Sequence, residues 1–229
     1  MEELFRRRDL PHWDVPNATY FVTCCLAGSI PAIGQLAIRR ERTRMARERR
    51  SGQLERRPGD DCAAALFGVR ETWLDAGRGT RWLKDRRLAA VVQAAMLHFA
   101  DSRYVLLAYV VMPSHVHWLF RPTRDWLDSR CRVSASRTPR EVVLHAFRRH
   151  TALVCNRILG RQGAFWQHES YDRVVRDEDE RQRIVDYIEF NPVKAGLCER
   201  PEDWEFSSAW RREIERTTER VPAGERGAG

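Results

Sequence analysis

The residue types and spacings in this chain that could do chemistry begin with His115-Val116-His117. On a strand, positions i and i+2 share a face, so both imidazoles lie side by side. Two imidazoles on one face of a rigid strand are a natural half of a divalent-metal site. Val116, Trp118 and Phe120 then take the opposite face, which is apolar enough to be core. The competing reading is a pair of half-exposed histidines on a sheet surface, and the spacing alone does not separate the two. Barrel hydrolases also use H-x-H, but a (β/α)8 barrel takes about 250 residues of repeating βα units. This chain has 229 residues and the wrong order of elements. A further ligand and a nucleophile must therefore come from elsewhere. Tyr187 and Asn191 lie four residues apart, on one face of a helix that reaches Asn191-Pro192. Of the five tyrosines, Tyr20, Tyr104 and Tyr109 sit in apolar strands and Tyr171 lies on another strand; only Tyr187 falls in a helix with a polar amide one turn on. Ile184 and Ile188 share that face, so plain packing is the competing role for Tyr187. The six cysteines form no C-x-x-C pair and no zinc-ribbon spacing, which predicts reduced thiols.

The elements that must position these residues follow from periodicity. Thr19 to Leu26 is β-branched and aromatic and ends at Ala27-Gly28-Ser29, which predicts the first strand. Leu83 to Phe99 carries a helical apolar stripe through Leu88, Val91, Val92, Ala95 and Met96. Tyr104 to Val111 is nearly all apolar, a central strand covered on both sides. It turns at Met112-Pro113-Ser114 into His115 to Phe120, so the two can form a hairpin. Arg140 to Leu159 has helical spacing, and Phe165 to Arg176 is expected to be a further strand. Asp177 opens a helix that Pro192 should stop, and Trp204 to Ile214 predicts a short last helix. Strand, helix, strand, strand, helix, strand, helix gives an α+β fold: a ferredoxin-like antiparallel sheet with helices packed on it.

Composition narrows the class of partner. Hydrophobic residues make up 43% and aromatics 10%, which excludes wholesale disorder. No apolar run approaches the roughly 18–20 residues of a membrane span, and MEELFRRRDLPHWD lacks the apolar region of a signal peptide. Both point to a cytoplasmic protein with no membrane partner. The formal charge is +8, and every basic residue except Lys84 and Lys194 is arginine. Arginine's planar fork suits phosphate contacts and base stacking, so nucleic acid is the leading partner class. Arginine-rich codon usage would account for part of the same bias. Ala37 to Pro58 holds nine arginines against three glutamates and is expected to be a solvated helix or arm. Arg124 to Arg161 again holds nine against three acids. Within and just after it, Arg137, Arg140, Arg148 and Arg149 are the best phosphate binders, and Arg173 and Arg176 weaker ones that could equally form surface ion pairs.

Several phrases together carry more than any one of them. VVMPSHVHWLF, FWQHESYDRVVRDEDE and IVDYIEFNPVKAGL resemble the REP-associated tyrosine transposases, of the single-tyrosine HUH class. LPHWDVPNATYFVTCCLAGSIP and PEDWEFSSA extend the likeness, which runs from about Leu10 to Ala209 without the basic segment around residues 37 to 80. The resemblance implies a ferredoxin-like sheet carrying the paired histidines His115 and His117, with Asn191 as third ligand to Mg2+ or Mn2+ and Tyr187 as the catalytic tyrosine. It implies cleavage and rejoining of single-stranded DNA with a hairpin foot, through a 5′-phosphotyrosine bond. His168 and Glu169 are further polar candidates for support. Ser114 departs from the family, whose members commonly carry Asn or Asp before the first histidine.

The reading is thus one HUH transposase domain over 1–214, with a basic insertion at about 37–80 and a disordered tail at 215–229, in a nucleoid-associated protein. A non-catalytic hairpin binder or repressor on the same fold is the first alternative, and a metal-dependent phosphodiesterase the second. With two strongly basic stretches, affinity for single-stranded DNA should fall steeply with salt, by roughly 0.7 log units per phosphate contact per log unit of salt. A titration of a labelled oligonucleotide between low and moderate salt measures that slope, and a flat line would leave the arginines as mere solvated surface.

Overall fold

The computed structural model describes residues 4–7, 11–15, 17–51, 60–131 and 137–219. A short hairpin opens the chain, β1 (Leu4–Arg7) against β2 (Pro11–Asp14). It precedes the expected first strand and falls where no alternating pattern announces it. The main sheet contains β3 (Tyr20–Cys25), β4 (Tyr104–Val111), β5 (His115–Pro122) and β6 (Tyr171–Val174), in the order β4-β5-β3-β6. Every pairing is antiparallel. Helices intervene between β3 and β4 and again between β5 and β6, which gives the ferredoxin-like βαββαβ order. The central pair β3–β5 sets Thr23 opposite His117 and Cys25 opposite His115.

Period-two alternation divides the sheet into two faces. Val22, Cys24, Val116, Trp118 and Phe120 point to one face. There they pack under α3 (Arg86–Leu97) through Leu88 and Val92, and under α5 (Pro139–Ile158) through Val143 and Phe147. Thr138 caps α5 through a full capping box with Glu141, and Pro139 follows at the first helical position, where its missing N–H costs nothing. The other face carries Phe21, Val110, Leu119 and Ile188, the last from α6 (Glu178–Lys194). His115 and His117 project toward this second face, in register with Leu119. They are therefore buried rather than half-exposed on an open sheet.

Two features of the chain differ from expectation for definable reasons. The basic segment forms α1 (Ala32–Arg50), which pairs with α2 (Asp60–Asp75). Ile38 and Met45 of α1, with Leu66 and Leu74 of α2, bury against Cys25 and Ile30 as a third apolar cluster. Arginines fill the exposed side of α1, while isolated apolar residues at helical spacing anchor it, so it is a packed element and not a solvated arm. Helix α6 runs through Pro192 to Lys194 instead of stopping before it. A proline this close to the C-terminus costs a single hydrogen bond. The stop is set by Gly196 at φ +66°, a left-handed position that glycine takes without strain.

Shorter departures follow the same logic. The stretch from Phe165 is extended only over Tyr171–Val174, with Trp166 bridging Leu26 alone. An eight-residue helix, α4 (Arg124–Cys131), follows β5. The last helix, α7 (Ser208–Glu219), continues past Ile214, so the first five residues of the expected tail are helical; 220–229 lie outside the described residues. No helix among the described residues is long and apolar enough to cross a membrane. Leu88 is fully buried between α3 and the sheet, and Leu88→Ala should cost about 2–5 kcal/mol. Urea unfolding measures this as a lower midpoint at unchanged slope.

Candidate active site

Strand β5 supplies His115 and His117 on the face covered by α6 and α2, and both are essentially inaccessible. Each Nδ1 is held from the strand side. Thr23 Oγ1, across the ladder, lies 2.8 Å from His117 Nδ1, and Ser114 Oγ lies 2.9 Å from His115 Nδ1. Hydroxyls at Nδ1 orient the rings and leave both Nε2 atoms pointing inward, as outer-sphere partners do for metal-bound histidines. Ser114 is thus the group that steadies His115, which answers the departure noted in its motif. Neither Nε2 has a hydrogen bond.

Helix α6 brings Tyr187 and Asn191 over the same face. The Tyr187 ring lies 5.4 Å from the His117 ring, centroid to centroid, and packs edge-on to Phe21. Asn191 is buried, and neither atom of its amide has a partner. A buried amide without partners ordinarily costs several kcal/mol, a cost that a bound group would relieve. Tyr187 is therefore brought against His117, the neighbour of His115, from a distant segment, and Asn191 lies buried one turn further along α6.

One member of the cluster was not among the candidates. Glu71, from α2, accepts a hydrogen bond of 2.5 Å from the Tyr187 hydroxyl, and its Oε2 lies 3.3 Å from His117 Nε2. Ligand atoms of Glu71, His115 and His117 all lie within 4.8 Å of one another. The signal was present in the sequence. Phe67, Glu71 and Leu74 fall at i, i+4 and i+7, which places a carboxylate on an apolar helical face. A charge there is rarely idle.

The electrostatics follow from burial. Burial pushes the Glu71 carboxyl up most strongly of any one cause, but His117, His115 and the Tyr187 hydroxyl together outweigh it and hold the group down at about 2, ionised. His115 is driven down to about 3 by burial and by neighbouring His117, and so stays neutral, the form that ligates a metal. The Tyr187 phenol is pushed well above its usual range, first by burial and then by the Glu71 charge. It is a protonated donor in this arrangement.

The arginines divide differently from the expectation. Arg140 is buried and ion-paired to Asp172 at 3.2 Å, so it holds α5 to β6 and does not face solvent. Arg148 donates to the backbone carbonyls of Gln167 and His168 and fixes the loop before β6. Arg173 and Arg176 both pair with Glu180, a buried carboxylate at the start of α6. Arg137 and Arg149 are exposed, and they line a cleft of about 680 Å³ beside α5 together with exposed His168. Glu169 lines this cleft too, and neither it nor His168 belongs to the buried histidine cluster.

Comparison with known proteins adds the family relation. Over 107 residues the chain is 28% identical to a protein of Haemophilus influenzae named as a REP-associated tyrosine transposase, covering 44% of this chain and 57% of that protein. Over 110 residues it is 30% identical to the REP-associated tyrosine transposase of Escherichia coli, covering 47% and 56%. This chain is similar to REP-associated tyrosine transposases. Its match spans little more than half the length of those curated relatives. A solved REP-associated tyrosine transposase, bound to a REP hairpin, superposes with a TM-score of 0.50 at 17% identity, over 95% of this chain and 87% of that one. That likeness establishes the transposase-type fold. No family model matches the chain.

The division of the arginines is measurable. Arg140→Ala removes the guanidinium from the buried Asp172 carboxylate and should cost about 3–5 kcal/mol of stability. Arg149→Ala should leave the unfolding midpoint where it is. Chemical denaturation of both variants checks the contrast, and equal midpoints would contradict it.

Proposed function

We propose that this protein is a metal-dependent DNA transposase that cleaves and rejoins single-stranded DNA beside a hairpin, with Tyr187 as nucleophile. The observation that carries this reading is the Tyr187 hydroxyl set beside two buried, inward-facing histidines and an unpartnered Asn191 amide. In the attack, Tyr187 Oη forms a bond to phosphorus and the bond from phosphorus to the 3′ oxygen breaks. The phenolic proton is given up and the departing oxygen takes one, leaving a 3′-hydroxyl and a 5′-phosphotyrosine. Reversal by the same or another 3′-hydroxyl rejoins the strand, and the phosphoester energy is conserved throughout.

The donor set fits a divalent cation. His115 and His117 present ring nitrogens and Asn191 an amide oxygen, on a scaffold whose own hydrogen bonds at Nδ1 leave those atoms facing inward. Mg2+ or Mn2+ bound there would polarise the scissile phosphate as a Lewis acid. Everything else is done by the chain. Thr23 and Ser114 keep the imidazoles aimed, Glu71 orients the phenol, and the aromatic wall of Phe21 and Phe67 excludes water from it.

The partner is a DNA hairpin with a single-stranded flank, a reading supported by the REP hairpin bound in the solved transposase. Arg137 and Arg149, at the rim of the cleft beside α5, are the side chains suited to its phosphates. The exposed arginine side of α1 offers a second basic surface. A cytoplasmic, nucleoid-associated protein follows from this partner. The complete burial of His115 and His117 under α2 and α6 is the one feature that favours a hairpin binder that never cuts.

Covalent chemistry decides between the two. Tyr187→Phe removes only the hydroxyl, and the ring's packing with Phe21 and Phe67 persists. Hairpin affinity should change little, while strand cleavage and the protein–DNA adduct fall to background. Denaturing gels of end-labelled hairpin DNA from the sequence flanking its gene, incubated with Mn2+, provide the readout. An adduct that survives Tyr187→Phe would remove Tyr187 from the role, and a wild-type protein that binds without cutting would favour the binder.

A further inference from the structure

We propose that Glu71 is a carboxylate ligand to the cation at His115, His117 and Asn191, and that its other oxygen positions the Tyr187 hydroxyl beside that cation. The inference rests on the metal-dependent reading above and adds a ligand from α2, which lies outside the motifs that carry the family resemblance.

Three observations converge on Glu71. Its ligand atom lies within 4.8 Å of those of both histidines, and all three side chains are buried. Its two oxygens have different surroundings. Oε2 accepts from Tyr187 and lies near His117, while Oε1 is buried with no hydrogen-bond partner. A buried carboxylate with one bare oxygen, beside a His115 Nε2 without a partner and a His117 Nε2 that meets Oε2 at 3.3 Å, is incomplete as a hydrogen-bond network. It is complete as a ligand set. Thirdly, α2 is fastened on both sides of Glu71. Arg70, one residue earlier, donates to Gln167 Oε1 at 3.1 Å and approaches Cys25 Sγ at 3.5 Å. Asp75, four residues later, pairs with Lys194 of α6 at 3.0 Å. Phe67, one turn earlier, packs on Tyr171 at 4.6 Å and on Phe21. The helix is docked to the sheet and to the tyrosine helix together, which fixes the carboxylate between them.

Charge gives the reason such a ligand is needed. His115, His117 and Asn191 bring no negative charge, and a buried divalent ion without an anion is strongly disfavoured. Glu71 supplies that anion, and a hard oxygen donor of the type Mg2+ and Mn2+ prefer. The two nitrogens shift the preference toward Mn2+ over Mg2+. The rival role is a stopper: a carboxylate that merely occupies the cation's place until α2 withdraws.

The test is calorimetric titration of Mn2+ into the full chain after EDTA treatment, with the Mn2+-induced rise in melting temperature as a second readout. Glu71→Gln keeps the side-chain shape and an acceptor for Tyr187, and should weaken Mn2+ binding at least tenfold, with a matching loss of the thermal shift. Glu71→Ala should weaken it further. The His115→Ala/His117→Ala double variant should abolish binding. Wild-type affinity in Glu71→Gln, with binding lost in the double variant, would overturn the ligand role of Glu71 and leave the metal reading intact. Mn2+ binding by the double variant, or none by the wild type, would overturn both. Tighter Mn2+ binding in Glu71→Ala would identify Glu71 as a stopper and overturn the proposal.

Discussion

The contact between the Glu71 carboxylate and the Tyr187 hydroxyl joins two helices across a buried polar site, and the rest of the arrangement depends on it. A sheet face that carries Phe21, Val110 and Leu119 would ordinarily be closed by apolar side chains alone. Here it also buries His115, His117, Asn191 and Glu71. Each polar group removed from water without a partner works against folding. The chain offsets this cost only in part, through Thr23, Ser114 and the tyrosine hydroxyl. The uncompensated remainder is concentrated at the inward-facing atoms. Local strain of this kind is the expected mark of a functional site in an otherwise consistent fold.

The scaffold explains how such a site is tolerated. The first face of the sheet is predominantly apolar, with Trp118 and Phe120 packed among α3 and α5 beside the buried Arg140–Asp172 pair, and it provides much of the driving force for folding. Because successive strand residues alternate between faces, Val116 belongs to this core while its two neighbours serve the site. Rigid elements hold every group. The histidines stand on a central strand, Tyr187 and Asn191 on a capped helix, and Glu71 on a helix pinned at both flanks. Residues on rigid elements keep their mutual geometry far better than residues on loops.

Much of this was legible in the residues. Alternation placed His115 and His117 on one face, helical spacing put Tyr187 with Asn191, and the strand–helix order led to the ferredoxin-like sheet. What stayed hidden required knowing which surfaces meet. The burial of the histidines depends on helices packing over a face that strand periodicity alone cannot close. Glu71 lies in a segment with no family motif, flanked by an arginine-rich stretch that looks solvated until Ile38 and Met45 are seen to pack on Leu66 and Leu74. The arginines show the opposite failure. Composition marks Arg140, Arg148, Arg173 and Arg176 as basic, but only the fold shows that Asp172, Glu180 and two backbone carbonyls engage them. Charge in a sequence counts the groups, and tertiary structure assigns their partners.

The central claim is that one particular tyrosine becomes bonded to DNA. The most direct measurement is mass spectrometry of tryptic peptides from the protein trapped on a hairpin oligonucleotide in Mn2+. Cleavage after Arg183 and Lys194 isolates IVDYIEFNPVK, which contains Tyr187 and no other tyrosine. The account predicts that this peptide carries the nucleotide mass, joined through the phenolic oxygen. A nucleotide on the peptide that ends YDR, which contains Tyr171, or on any other peptide of the chain, would contradict it.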